Sequence, residues 1–236
     1  MDLAALRGMK RAGKKIVGVV VWDYQMAQIV DRAGVELVSV GDSVGVNLWG
    51  QQEGEITLEE MLVVCKAVRR GVKRALLSCD LPPRFVSAQN ARRLVEEGGA
   101  QLIKVEAPPS VVKTLADAGI AVFAEFHGGR PPHELVKEAK DLEAAGAALL
   151  DFRHSGPEAG PAVVGAVSIA VLGGLGGGPW LDGRMRMAHA AIGYAASQLD
   201  SKTESYANVA RVSLEAITAY AEDVRAARYL KGQRPA

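Results

Sequence analysis

The amino-acid sequence predicts an α/β protein folded as a single (β/α)8 barrel. Seven or eight short apolar runs alternate with helical segments, which indicates a parallel sheet, and their number suits a closed barrel. The length of 236 residues, 49% of them hydrophobic, is typical of an α/β barrel that forms one large domain. No linker or low-complexity segment divides the chain, so the domain is expected to span residues 1–236. A doubly wound open sheet is the alternative, because it has the same alternation.

The strands are predicted where a continuous apolar run is ended by turn residues, the pattern of a strand buried on both faces. In chain order these runs are residues 16–21, 37–40, 75–79, 101–105, 120–126, 148–152, 169–172 and 185–189. A glycine-rich loop at residues 173–179 follows the seventh run. It is either an anion cradle built from backbone N–H groups or a tight turn between a strand and a helix.

The helices are predicted from their end signals and apolar spacing. Thr57 and Glu60 form a capping box for a helix that runs to about residue 70, and Gly34 ends one that starts near residue 26. Further helices are expected at residues 87–97, 110–118, 131–145 and 206–229. A small-residue segment ending near residue 167 is a poorer helix former because of its glycines.

Composition excludes several classes of partner. The chain has 28 Lys+Arg and 27 Asp+Glu residues, so it lacks the excess of basic charge that binding to nucleic acid requires. No run reaches the roughly 18 apolar residues of a membrane span, and no membrane partner is expected. Cys65 and Cys79 lie in apolar runs without metal-type spacing, which indicates buried, reduced thiols. A cytoplasmic location follows as an expectation.

Two aspartates follow neighbouring strands of the predicted barrel. Asp42 comes after the second strand, in the sequence Gly-Asp-Ser, and Asp80 comes after the third. The carboxyl ends of barrel strands converge on one mouth, and adjacent strands lie about 4.8 Å apart, so these carboxylates could share one cation. Oxygen ligands of this kind favour Mg²⁺. The alternative for each aspartate is a helix N-cap or turn residue.

Three further strands end in a pair of polar residues that are two apart and therefore share a face. These pairs are Lys104 and Glu106, Glu125 and His127, and Asp151 and Arg153. If they point inward, they add charged groups to the same mouth. Each pair also has a simpler interpretation as a solvated strand end or local ion pair, and His127, which lies beside glycines, is typical of a loop residue.

Several of these motifs resemble the ketopantoate hydroxymethyltransferase (3-methyl-2-oxobutanoate hydroxymethyltransferase) family. The matching segments are VGDSVG at 40–45, ITLEEM at 56–61, AVRRG at 67–71, DLP at 80–82, IKVE at 103–106, the glycine-rich loop at 173–178 with DGR at 182–184, and the last helix. They fall in the order and spacing of that family. The resemblance covers most of residues 14–230.

The resemblance implies a barrel of the phosphoenolpyruvate/pyruvate type that forms a homo-oligomer. Such an enzyme, typical of pantothenate biosynthesis, transfers a hydroxymethyl group from methylenetetrahydrofolate to the enolate of a small 2-oxo acid, with Mg²⁺. By resemblance, Asp42 and Asp80 would hold the metal and Glu106 would lie in its outer shell. Ser43 and Lys104 would bind the carboxylate and oxo region of the substrate.

The sequence departs from the family in its second half. Glu125 stands where the family has a histidine, and a long loop that covers the family's site is missing after residue 130. This loss weakens the expectation of folate binding. Arg153 stands where the family has its catalytic glutamate, and Asp151 is the nearest carboxylate on that face. Arginine cannot act as a base, but it can clamp an anion. Asp151, Glu125 or a water held by the metal are therefore the candidate bases.

Three functions remain open from the sequence. The first is a metal-dependent enzyme that acts on a small 2-oxo acid through its enolate, by hydroxymethyl transfer or other C–C bond formation. The second is a carbon–carbon lyase or decarboxylase of a 2-oxo acid that has a second anionic group bound by Arg153. The third is a non-catalytic paralogue, suggested by the loss of the expected glutamate.

Overall fold

The computed structural model describes residues 1–228 and 230–232, and its centre is a closed barrel of eight parallel strands. The strands follow one another around the barrel in chain order. They are β1 (Ile16–Val20), β2 (Leu37–Val40), β3 (Leu76–Asp80), β4 (Leu102–Glu106), β5 (Val122–His127), β6 (Ala147–Arg153), β7 (Val171–Gly173) and β8 (Gly183–Met187). The predicted (β/α)8 barrel is therefore confirmed, and closure of the sheet excludes the doubly wound alternative.

Helices occur between consecutive strands from β1 to β7, as the alternating pattern predicts, and others precede β1 and follow β8. They are α1 (Leu3–Arg11), α2 (Tyr24–Arg32), α3 (Leu58–Gly71), α4 (Ala88–Glu96), α5 (Pro109–Asp117), α6 (Pro132–Ala144), α7 (Ala159–Ala166), α8 (Ala188–Ile192) and α9 (Val209–Arg225). The capping box of α3 is present, with the Thr57 side chain and the Glu60 side chain each accepting from the other's backbone N–H. The segment of small residues does form a helix, α7, despite its glycines.

The sequence did not predict α1. Asp2 begins this helix by accepting a hydrogen bond from the N–H of Ala5 at 2.8 Å. Its Leu6 is buried in the apolar cluster that fills the barrel, together with Leu37 and Phe123. A mixed sequence of charged and apolar residues conceals this role, because only one side chain of the helix is fully buried.

Two predicted elements differ in their bounds. The eighth strand ends at Met187, and His189, which was expected in it, lies in α8. The last helix begins after Asn208, whose side chain accepts from the N–H of Arg211 at 3.0 Å and so sets the start later than residue 206. The predicted end at Tyr229 lies outside the described residues.

The chain groups into two compact units, residues 1–186 and residues 187–236. The first contains the barrel up to its last strand, and the second contains α8 and α9. A single domain over residues 1–236 therefore stays a prediction. Among the described residues, no helix is both long and apolar enough to cross a membrane.

Candidate active site

The carboxyl ends of β2 and β3 bring two acids to the barrel mouth. Val40 is paired with Cys79 in the sheet, so Asp42 and Asp80 follow from neighbouring strand ends. Burial raises the pKa of Asp80 to about 7; Lys104 opposes this shift, while the negative charges of Asp42 and Glu125 add to it. The pKa of Asp42 is also raised, again chiefly by burial. These two acids therefore lack sufficient positive charge around them.

One atom of this pair is suited to a cation. Oδ1 of Asp80 is buried and has no hydrogen-bond partner among the described residues, and its Oδ2 lies 3.9 Å from Nζ of Lys104. An unpartnered buried carboxylate oxygen is costly, and a metal ion would satisfy it. Asp42 already receives a backbone N–H from Ser43, whose half-buried side chain stands beside it. The donor set of Asp42 and Asp80 thus fits a hard divalent cation.

Lys104 of β4 lies at the centre of the charged residues. Its Nζ donates to Glu125 and lies 3.1 Å from Oδ2 of Asp151, in addition to its longer contact with Asp80. Burial alone would lower the pKa of Lys104, but the three carboxylates outweigh burial and raise it. The ammonium is therefore held permanently charged in a site with only 12% of its side chain exposed.

Asp151 and Glu125 face each other across β5 and β6, where they are paired in register. Oδ1 of Asp151 accepts the N–H of Gly174 at 2.9 Å, and its Oδ2 meets Lys104. Both oxygens of this buried carboxylate are occupied, an arrangement that fixes the position of Lys104. Gly174 belongs to the glycine-rich loop. Its N–H therefore binds a carboxylate of the protein itself, Asp151.

Arg153 neutralises the other side of Glu125. Its Nη1 lies 2.6 Å from Oε1 of Glu125, while 32% of the Arg153 side chain is exposed at the mouth. Burial would raise the pKa of Glu125, but Lys104 and Arg153 together lower it, so this carboxylate is ionised. The same contact raises the pKa of Arg153 against the opposing effect of burial. Arg153 therefore cannot accept a proton, as the sequence indicates.

His127 is part of the site, although the sequence interpretation treated it as a loop residue. It is the last residue of β5, and its Nε2 lies 3.2 Å from Glu125 and 3.3 Å from Glu106. One ligand atom from each of these three residues lies within 4.8 Å of the others, so they are also able to surround a metal ion. The signal in the sequence was the two-residue spacing from Glu125, which puts both side chains on one face of the strand.

The neighbouring turn is strained. His154 follows β6 with a positive φ of 51°, and its ring centroid lies 6.1 Å from that of His127. Its N–H donates to the carbonyl of Leu175 at 2.8 Å, which holds the turn against the glycine-rich loop. Non-glycine residues with this backbone conformation are concentrated at functional sites. The turn after β6 is therefore tied to the glycine-rich loop.

Known proteins resemble this chain over most of its length. The family model described as ketopantoate hydroxymethyltransferase matches residues 1–134 and 128–231. The chain belongs to the ketopantoate hydroxymethyltransferase family. A 3-methyl-2-oxobutanoate hydroxymethyltransferase from Cyanothece sp. (strain PCC 7425 / ATCC 29141) is 32% identical, with 95% of this chain and 96% of that protein covered. The protein of that name from Geobacillus thermodenitrificans (strain NG80-2) is 31% identical, covering 92% and 87%. The predicted resemblance is confirmed, and the chain is a member of a family of enzymes.

Solved structures with the same fold extend the likeness beyond the ketopantoate hydroxymethyltransferase family. Phosphonopyruvate hydrolase, in a complex with oxalate and Mg²⁺, has a TM-score of 0.66 at 15% identity, with 99% of this chain and 91% of that chain covered. A 2,3-dimethylmalate lyase of the PEP mutase/isocitrate lyase superfamily has a TM-score of 0.63 at 14% identity, with the same coverage. At these identities the likeness concerns the fold alone, and it agrees with the closed (β/α)8 barrel.

Two observations concern the connection between β5 and α6. The two matched segments meet at residues 128–134, where β5 passes to α6 through a short connection. The alignment with the Cyanothece protein runs over 255 residues yet covers 95% of this 236-residue chain, so that protein has residues that this chain lacks. Both observations agree with the missing loop that the sequence indicates.

Proposed function

We propose that this protein is a Mg²⁺-dependent enzyme that acts on a small 2-oxo acid through its enolate and forms a carbon–carbon bond. Hydroxymethyl transfer is the reference reaction. The observation that carries the proposal is the unpartnered buried Oδ1 of Asp80 beside Asp42, with Lys104 behind it, at the mouth of a barrel in this family.

The acids of β2 and β3 supply the metal site in this proposal. Asp42 and Asp80 would hold Mg²⁺, and Glu106, which is more than half exposed, would lie in its outer shell. When bound, a divalent ion polarises the oxo and carboxylate oxygens of a 2-oxo acid as a Lewis acid. Ser43 and Lys104 stand next to these acids and would orient the same oxygens by hydrogen bonds and charge.

The substrate class comes from the names of the relatives. The similar proteins are named for 3-methyl-2-oxobutanoate, and we assign a small 2-oxo acid of this kind to the present chain. The one-carbon donor is left open, because the short connection after β5 lacks the loop that the resemblance associates with the site. Methylenetetrahydrofolate is therefore a candidate donor to be tested beside free formaldehyde.

Hydrogen exchange tests the proposal directly. Purified protein with Mg²⁺ and 3-methyl-2-oxobutanoate in D₂O should replace the hydrogen on C3 by deuterium, followed by proton NMR. Asp80→Asn should abolish this exchange, whereas Asp117→Asn, an exposed aspartate of α5, should leave it unchanged. Absence of exchange with every small 2-oxo acid tried, at saturating Mg²⁺, would falsify the proposal.

The exposure of Arg153 favours one alternative reaction at the same site. Its guanidinium has donors beyond the one used by Glu125, and these could bind a second anionic group of the substrate, as in a carbon–carbon lyase or decarboxylase. Arg153→Met should then raise KM for a 2-oxo dicarboxylic acid and leave KM for 3-methyl-2-oxobutanoate unchanged. Equal effects on both acids would exclude a specific role for Arg153 in substrate choice.

Assembly and location complete the proposal. We propose a homo-oligomer, supported by a run of exposed apolar side chains on α9 that includes Val212, Ile217 and Tyr220. We propose a cytoplasmic location, supported by two free cysteines in a chain without disulfides among its described residues. Mass measurement of the purified protein by light scattering tests the first of these statements.

A further inference from the structure

The end of β5 places an imidazole directly above the charged centre of the site. His127 follows Glu125 by two residues on the same face of the strand, and it is paired in register with Arg153 on β6. The described ring is 38% exposed, whereas Glu125 below it is 6% exposed. His127 is therefore the titratable group of β5 that a small molecule at the mouth reaches first.

The two buried carboxylates of β5 and β6 are poorly placed to move a proton. Both oxygens of Asp151 are occupied, one by the N–H of Gly174 and one by Lys104. Glu125 is occupied in the same way by Lys104 and Arg153. Protonation of either carboxylate would weaken an ion pair that it already makes with Lys104 or Arg153, which disfavours a role as a base.

Two acids lie beside Nε2 of His127. This nitrogen is buried and makes no hydrogen bond among the described residues, and it lies 3.3 Å from an oxygen of Glu106 and 3.2 Å from an oxygen of Glu125. Nδ1 is the ring nitrogen that does not face these two acids. A carboxylate on one side of an imidazole favours the protonated form that arises when the other nitrogen accepts a proton.

The contacts of Glu125 disfavour a second metal ion beside His127. Its two oxygens already contact Lys104 and Arg153. A metal ion held by Glu106, Glu125 and His127 would have to share Glu125 with these two cations.

We infer that His127 is the group that removes and returns the proton on the carbon next to the oxo group of the substrate, an inference that rests on the proposed function. In this step the C3–H bond breaks and its electron pair forms the C2=C3 bond of the enolate. The proton is held on Nδ1 of His127, and Glu106 and Glu125 stabilise the imidazolium through Nε2. Return of the proton to carbon reverses the step, so the residue is regenerated without another reactant.

Exchange kinetics with matched histidine variants test this role. His127→Gln should slow the Mg²⁺-dependent exchange of deuterium into C3 by about a hundredfold or more, the usual contribution of general base catalysis. The binding of 3-methyl-2-oxobutanoate with Mg²⁺, measured by calorimetry, should change less than threefold. His133→Gln, an exposed histidine of α6, is the control and should exchange at the wild-type rate.

Chemical rescue distinguishes a proton-transfer role from a structural one. His127→Gly leaves space for a small base, so added imidazole should restore exchange in proportion to its concentration, and it should not accelerate Asp80→Asn. Wild-type exchange in His127→Gln would overturn the inference and leave the proposed function standing. Loss of oxo-acid binding in that variant would also overturn it, because the residue would then hold a ligand or metal. A wild-type protein without exchange would remove both proposals.

Discussion

The ends of β2 and β3 differ from the ends of β5 and β6 in how their charges are balanced. Asp42 and Asp80 on the first pair of strands are half-buried with too little positive charge, and the pKa of both is raised. On the second pair, Glu125 is held by Lys104 and Arg153, and its pKa is lowered. The acids of the first region are therefore poorly neutralised within the protein, whereas Glu125 of the second region has two cationic partners there.

This difference separates two tasks that share one barrel mouth. A region with unmatched acids binds an ion strongly because the ion removes an existing cost of burial. A region whose acids already have cationic partners should keep its side-chain positions when a metal ion binds nearby. It can therefore hold His127 and Lys104 in place. Lys104 connects the two regions, since it contacts Asp80 on one side and Asp151 on the other.

The largest expected effect follows from removing that connection. Lys104→Met would leave Glu125 and Asp151 buried without their common cation, and we expect a loss of about 3–5 kcal/mol in the free energy of unfolding. Urea denaturation of the metal-free protein measures this loss. Lys113→Met removes an exposed lysine that pairs with Asp117 on the surface, and it should have no measurable effect. Similar stability of the two variants would contradict the central role of Lys104.

Removing an acid of the first region should have opposite effects on activity and stability. We expect Asp80→Asn to reduce Mg²⁺-dependent turnover by on the order of a hundredfold or more, since it removes a metal ligand. The same change should raise the thermal midpoint of the metal-free protein at pH 8, because it removes a buried, repelled charge. A metal-free Asp80→Asn that melts below the wild type would contradict the charge balance described for β2 and β3.

The pKa of Asp80 makes metal binding depend on pH. A carboxyl whose pKa is raised on folding binds its proton more tightly in the folded state, so this group stabilises the metal-free fold at low pH. That contribution is lost as the pH rises to about 7. Mg²⁺ must displace the proton, so its affinity should fall about tenfold per pH unit below 7 and level off above it. Calorimetric titration between pH 5 and 9 measures this curve, and Asp80→Asn should flatten it.

The smallest expected effect belongs to the partly exposed pair of the second region. Arg153→Met leaves Glu125 with Lys104, so we expect a loss of only about 1–2 kcal/mol in unfolding free energy. A double-mutant cycle with Glu125→Gln should attribute most of this loss to the contact between the two side chains. A coupling energy near zero would mean that solvent screens the pair, and that β5 and β6 are less rigid than the ion pairs imply.

The sequence was sufficient for the barrel and for the residues of the first region. Buried parallel strands consist of continuous apolar runs, and the acids that follow them fall at the carboxyl ends by necessity. Asp42, Asp80 and Lys104 could be named because they lie in motifs whose spacing resembles one family. The start of the last helix and the presence of α1 could not be predicted, since each depends on a single cap or a single buried side chain.

The sequence by itself therefore determined the fold and which polar residues stand at the mouth. Only the tertiary structure decided which of them are paired, because a strand fixes the face of a side chain but not the neighbour it meets. Asp151 contacts Lys104 with one carboxylate oxygen, and its other oxygen accepts the N–H of Gly174, which lies more than twenty residues later in the chain. The sequence interpretation treated His127 as a loop residue because it precedes glycines. In the structure it lies beside two carboxylates, one from β4 and one from β5. Ion pairing in a buried site depends on distances of a few ångströms between strands, and these are set by barrel closure.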